Sequence, residues 1–139
     1  MVSATYNTIN NAQLYNNPYG VYFLYSDGNT INNTHIYNNT IQGLMIDTSN
    51  RTTINNSQIY NNYGQGIFAS NANYSVINNS QFYNNNQNGV YFYYSASGAI
   101  NNVQAYNNMQ NGLYLDANSI NTKYYGTDKI FGNTTADIG

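Results

Sequence analysis

Ile31-Asn32-Asn33-Thr34-His35-Ile36-Tyr37-Asn38-Asn39, followed by Gly43-Leu44-Met45-Ile46, is the stretch that decides the fold. It is one copy of a repeating unit. Ile-Asn-Asn recurs at Ile9, Ile31, Ile54, Ile77 and Ile100, at intervals of 22, 23, 23 and 23 residues. Five residues on, Leu14, Ile36, Ile59, Phe82 and Ala105 are each followed by Tyr-Asn-Asn. A third block opens at Gly20, Gly43, Gly66, Gly89 and Gly112. A sixth, irregular unit aligns through Ile130-Phe131-Gly132-Asn133 and needs about two extra residues between Ala117 and Lys129. With 31 Asn, 17 Tyr and only 6% charged residues, the composition alone would suit a disordered, aggregation-prone chain. Disorder gives no reason to hold three blocks in phase, so the repeat sets that reading aside.

Each block is too short for a helix and alternates with period two, which argues strands. Asn and Gly separate the blocks, as residues that tolerate left-handed backbone at tight corners. Three short strands per unit describe one triangular coil of a parallel β-solenoid, each strand pairing with its equivalents ~4.8 Å above and below. The fold class is therefore all-β, a single-stranded parallel β-helix of about 5–6 coils. The alternation turns four columns inward: Ile9/Ile31/Ile54/Ile77/Ile100, Leu14/Ile36/Ile59/Phe82/Ala105, Val21/Leu44/Ile67/Val90/Leu113 and Phe23/Ile46/Ala69/Phe92/Leu115. Ala69 between Ile46 and Phe92 suggests large and small residues alternating to fill space. Two corner columns, Asn11/Asn33/Asn56/Asn79/Asn102 and Asn17/Asn39/Asn62/Asn85/Asn108, are expected to form structural amide ladders, because a stacked carboxamide both donates and accepts.

The unit Ile-Asn-Asn-x-x-Ile-Tyr-Asn-Asn…Gly-Ile/Val-x-Phe resembles the right-handed parallel β-helix repeat of the pectin-lyase-like superfamily, which includes pectate-lyase-like carbohydrate enzymes and NosD-type periplasmic β-helices. The resemblance runs from about Tyr6 to Asn133 and implies right-handed coiling, which the periodicity does not. The 139 residues are read as one β-helix domain, a segment of a longer repeat protein, with an irregular last coil at 117–139.

Several function classes are disfavoured. Three basic residues, Arg51, Lys123 and Lys129, do not neutralise a phosphate backbone, so no nucleic acid is expected. Without Cys there is no disulfide framework or thiolate zinc site, and no apolar run reaches a membrane span. No secretory signal is visible in Met1-Val-Ser-Ala-Thr-Tyr-Asn. The resemblance implies clustered outer carboxylates for a carbohydrate-cleaving enzyme, and glycoside hydrolysis needs a carboxyl pair ~5–9.5 Å apart. The acids are Asp27, Asp47, Asp116, Asp128 and Asp137. Asp47 and Asp116 share an outward column with Leu24, Ser70 and Tyr93, but three coils separate them, roughly 14 Å. No catalytic residues are assigned, and the chain is expected to be non-enzymatic. His35, Met45, Met109 and Met1 offer no convergent ligand set, so no metal or cofactor is expected.

Two outward columns carry aromatics: Tyr22/Met45/Phe68/Tyr91/Tyr114 on side three and Tyr15/Tyr37/Tyr60/Tyr83/Tyr106 on side two. Like rings stack along a parallel sheet for stability alone, but a flat aromatic face also suits a sugar ring or a protein. Tyr22, Met45, Phe68, Tyr91 and Tyr114 are the candidate contact face. Ice binding through Thr8/Thr30/Thr53 is weakened by Val76 and Ala99, which break that column. The sequons at Asn32, Asn38, Asn50, Asn55, Asn73, Asn78 and Asn133 fall largely on repeat positions and carry no reading of their own. The main expectation is a structural and interaction scaffold of a secreted or cell-surface protein, partnered by a carbohydrate or protein surface, with end-to-end or side-by-side self-association. The alternative is a carbohydrate-binding or carbohydrate-active module.

Overall fold

Parallel pairing in phase with the repeat dominates the chain. The structure, a computed structural model, describes residues 5–125, 129–134 and 136–138. The described residues form strands and no helix, arranged in three six-stranded sheets. Side one stacks Thr8–Asn10, Thr30–Asn32, Thr53–Asn55, Val76–Asn78, Ala99–Asn101 and Lys123–Tyr125. Side two stacks Gln13–Tyr15, His35–Tyr37, Gln58–Tyr60, Gln81–Tyr83, Gln104–Tyr106 and Lys129–Phe131. Side three stacks Tyr19–Leu24, Gln42–Asp47, Ile67–Ser70, Val90–Tyr93, Asn111–Leu115 and Ala136–Ile138. Ile31 lies between Ile9 and Ile54, Ile36 between Leu14 and Ile59, and Leu44 between Val21 and Ile67. In the sixth coil the register slips by one residue where Tyr124 meets Ile100, and by a second where Ile130 meets Ala105. These are the two extra residues the sequence required.

The four inward columns form one continuous core from Val21 to Leu113, with Ile9, Leu14, Leu115 and Ile130 packed against it at the two ends. Ala69 is fully buried between Ile46 and Phe92, so volume does alternate along that column. One coil holds only a handful of apolar side chains, each stabilising by ~1.5–3 kcal/mol when buried. Stacking is what makes the core sufficient.

The corners divide the asparagines by role. Asn33, Asn56, Asn79 and Asn102 lie at the first corner with φ 47–51°, and Asn38, Asn61, Asn84 and Asn107 at the second with φ 54–56°. Asn reaches this left-handed region more readily than other side chains with a Cβ. Asn17, Asn39, Asn62, Asn85 and Asn108 follow the second corner and form a true ladder. Nδ2 of Asn39 donates to Oδ1 of Asn62 at 2.9 Å, Asn62 to Asn85 at 3.0 Å and Asn85 to Asn108 at 3.0 Å. Each Oδ1 also accepts the backbone N–H of the preceding rung. The Asn11/Asn33/Asn56/Asn79/Asn102 column differs from the expected structural amide ladder. It is exposed, and the first-corner amide ladder belongs instead to Asn10/Asn32/Asn55/Asn78/Asn101, one residue earlier, at 2.7–2.9 Å. In the exposed column Asn102 does donate to Asn79, at 2.9 Å. The reason is the backbone: at positive φ the side chain swings away from the stack, while the preceding strand residue keeps its outward, in-register position.

Buried hydroxyls finish the first and third corners. Ser57 Oγ accepts the N–H of Thr34, and Ser80 Oγ that of Ser57. At the third corner Ser49 Oγ accepts from Ser26 N, Ser95 Oγ from Ala72 N and Ser119 Oγ from Ser95 N. The sequon hydroxyls of Thr34, Ser57 and Ser80 are thus buried turn partners. The glycines that open side three also differ from expectation, since none of Gly20, Gly43, Gly66 and Gly89 has a positive φ. Their reason is close approach: a Cβ on Gly66 would lie 2.5 Å from the Gly89 carbonyl oxygen and 2.9 Å from Asn85 Nδ2.

Candidate functional site: the outer faces

Outward residues of the same strands are placed by the same register. Tyr15, Tyr37, Tyr60, Tyr83 and Tyr106 stand above one another on side two, with ring centroids 4.8–5.1 Å apart and planes within 12°. Phe131 continues the column at 5.2 Å. Their spacing is the coil rise itself, so each ring covers a face of the next. Tyr37 and Tyr83 donate their hydroxyls to Gln13 and Gln58, both at 3.2 Å. This face is a stacking ladder that presents ring edges and hydroxyls.

Side three is different. The register aligns Tyr22 with Met45, Met45 with Phe68, Phe68 with Tyr91 and Tyr91 with Tyr114, so the five expected contact residues share one column. The rings are tilted, not flat: Phe68 meets Tyr91 at 45° and Tyr91 meets Tyr114 at 73°. Met45 interrupts the aromatic sequence, and Tyr93 packs edge-on against Tyr91 at 6.1 Å. Edge-to-face packing suits the ring quadrupole and leaves parts of ring faces open to solvent. Tyr22 extends its hydroxyl toward Asp47 Oδ2 at 3.5 Å.

Asp27 and Asp116 sit in structural positions. Asp27 Oδ1 accepts the N–H of Asn50 at 2.7 Å at the third corner. Asp116 Oδ1 accepts from the Ser119 hydroxyl at 2.6 Å and from Tyr94 N–H at 3.0 Å, and its Oδ2 from Asn118 at 3.3 Å. Partial burial pulls the Asp116 pKa up, but the donors from Ser119, Tyr94 and Asn118 prevail and hold it below the usual carboxylate value. The ladder pairs Asp47 with Ser70 and Ser70 with Tyr93, and Asp116 lies one coil further on, next to Leu115, the partner of Phe92. Asp128 and Met1 lie outside the described residues. His35 is exposed on side two, edge-on to Tyr60 at 6.4 Å, while Met45 is on side three. Among the described residues no group of three or more His, Cys, Asp or Glu converges on a metal position, and no helix is long and apolar enough to cross a membrane.

Desolvation by neighbouring rings raises the phenol pKa of Tyr60, Tyr83 and Tyr91, and of Tyr22, where the Asp47 charge adds to it. An acid with a raised folded pKa gives stability that is whole below its unfolded value of about 10 and is lost as pH rises through the folded value. The melting temperature is therefore expected to fall as pH climbs above about 10, with a class of late-ionising tyrosines in the phenolate absorbance. A single titration step at the ordinary tyrosine value would contradict the packed ladders.

The chain matches the family model described as "Right handed beta helix region" over residues 1–136. No curated protein sequence matches it significantly. Among solved structures it is similar to the periplasmic alginate epimerase AlgG, with 16% identity and a TM-score of 0.84 over 95% of this chain and 36% of that one. The A-module of the Azotobacter vinelandii mannuronan C-5 epimerase AlgE4 gives 17% identity and 0.80, over 94% of this chain and 37% of the other. The enzymatically active domain of bacteriophage CBA120 tailspike protein 2 gives 15% and 0.72, over 90% and 21%. The chain thus spans about a third or less of the length of these structures. These matches correct the expectation of a non-enzymatic chain. β-Helices of this shape include epimerases and an enzymatically active tailspike domain, and a count of carboxylates over so small a share of such a domain does not decide activity.

Proposed function

Because this chain belongs to the right-handed β-helix family, whose fold the solved polysaccharide epimerases share, we propose that it engages polysaccharide as a carbohydrate-binding or carbohydrate-active module. The carbohydrate alternative takes precedence over the scaffold reading. One observation carries it: Phe68, Tyr91 and Tyr114 recur at the coil rise on side three with tilted rings, flanked by Tyr93. An aromatic face offers apolar area to the C–H faces of a sugar, while phenol hydroxyls bond its hydroxyls. The role derived for these residues is binding and orientation of a chain along the rod. Such a role suits a secreted or surface location, and AlgG, itself periplasmic, supports that. A protein surface is the competing occupant of the same face.

Glycan-array binding by the 139-residue chain, compared with a Tyr91→Ala/Tyr114→Ala variant, tests the proposal. Both side chains face outward, so the variant is expected to fold and to lose binding by roughly tenfold or more. Binding that is unchanged in the variant removes side three as the contact face. No binding of the parent to any glycan removes the carbohydrate reading.

A further inference from the structure

A groove of about 690 Å³ runs along the second corner, between sides two and three, and no aromatic column lines it. Its lining includes Asn38, Asn61 and Asn84, one per coil, and Thr40, Tyr63 and Asn86. We propose that this groove binds an uncharged, hydroxyl-rich glycan chain lying along the rod axis. The proposal takes its class of ligand from the polysaccharide reading above but rests on different residues.

Three features of the groove point to that ligand. First, the side-chain carboxamides of Asn38, Asn61 and Asn84 make no hydrogen bond among the described residues. The Asn10-to-Asn101 and Asn39-to-Asn108 columns are bonded rung to rung. Asn38, Asn61 and Asn84 stand exposed at φ 54–55°, their backbone fixed by the corner and their carboxamides turned to solvent. The left-handed corner explains why Asn stands there. It also delivers a donor and an acceptor at every ~4.8 Å along the rod, comparable with the length of one hexose.

Second, Tyr63 is 69% exposed and has no ring neighbour among the described residues. The side-two rings cover one another, so Tyr63 presents the free aromatic face at this corner. The residues at the same place in the other coils are Pro18, Thr40, Asn86 and Met109. Immediately after Tyr63 the chain tucks inward. Gly64 rests against the carbonyl of Ile41, where a Cβ would collide, and the side-three strand of that coil begins only at Ile67. In the preceding coil that strand already begins at Gln42.

Third, no wall residue is charged. Arg51 lies against the Tyr74 ring at 5.7 Å at a different corner, and Lys123 is on side one. A polyuronate therefore finds no counter-charge here, whereas carboxamides and hydroxyls match an uncharged sugar group for group.

Affinity electrophoresis of the 139-residue chain in gels containing glucomannan, soluble starch, dextran or alginate tests this. Retardation is expected in at least one uncharged polymer and not in alginate. Tyr63→Ala and Asn61→Gly are each expected to weaken it by roughly tenfold, also in the Tyr91→Ala/Tyr114→Ala background. Glycine keeps the positive φ at position 61, so that variant removes the amide and not the corner. Thermal melts that match the parent's establish that both variants are folded. Retardation by alginate alone overturns the inference. So does retardation that survives both groove variants, which leaves the wider polysaccharide reading standing. No retardation by any polymer overturns both.

Discussion

Ile54→Asp is expected to abolish the cooperative melt of the folded rod. Ile54 is 1% exposed and lies in register between Ile31 and Ile77, in a column with no polar member from Ile9 to Ile100. A carboxylate there has no cation and no donor to meet it. Either it stays charged in an apolar interior, or it takes up a proton and remains a polar group without partners. Losing the Ile packing as well brings the total to about 4–6 kcal/mol. That is comparable with the whole stability of many domains, ~5–15 kcal/mol. The solenoid makes the damage worse, because each coil is held only by the coils above and below it. A defect in the third coil severs the stack. Calorimetry of the parent and variant checks this. A shift of roughly 1 kcal/mol already moves the melting temperature of such a domain by several degrees. A variant that melts within about 2 °C of the parent would therefore falsify the inward assignment of the column.

Why the coil was readable and the groove was not follows from what a repeat records. A residue that must fit between its own copies is constrained at every coil, so Ile31, Ile36 and Leu44 announce the interior by recurrence. The same holds for the Tyr37 column, whose rings stack on themselves. Recurrence alone does not say which atoms meet. It marked Asn33 and Asn39 equally, yet the first turns outward at φ 47° and the second is buried in a ladder. It marked Gly66 as a corner when its real constraint is the carbonyl of Gly89. The corner hydroxyls of Thr34, Ser57 and Ser80 went unread, because Ala12 and Val103 stand at the same place in the first and fifth coils and the recurrence is broken. The groove is the opposite case. Its Asn38, Asn61 and Asn84 recur because the corner needs them, and Tyr63 breaks the repeat, so it has no copies to reveal it.

Asn85→Ala separates the two kinds of asparagine most sharply. Asn85 is fully buried. Its Oδ1 accepts from Asn62 N at 3.2 Å and Asn62 Nδ2 at 3.0 Å, and its Nδ2 donates to Asn108 Oδ1 at 3.0 Å and to the Ile59 carbonyl at 3.2 Å. Truncation to a methyl leaves the Asn62 backbone N–H facing a void no other side chain fills, and withdraws a donor from Ile59. Each buried polar group left unmatched costs about 1–3 kcal/mol, so a loss of roughly 3–5 kcal/mol is expected. Asn79 provides the contrast. It is exposed at φ 50°, so Asn79→Gly, which keeps that conformation available, should change stability by only a few tenths to about 1 kcal/mol. Asn85→Asp then tells an amide requirement from a size requirement. It preserves the shape but sets a second acceptor against Asn108 Oδ1 and buries a charge. That environment raises the pKa of the new carboxyl, so the penalty is greatest well above its folded pKa and shrinks as pH falls through it. The expected pattern is Asn85→Ala and Asn85→Asp both far below the parent at neutral pH, with the Asp variant recovering part of its stability on acidification. If Asn85→Ala is as mild as Asn79→Gly, the buried amide column does not hold the second corner, and the left-handed residue before it, Asn84, must do so alone.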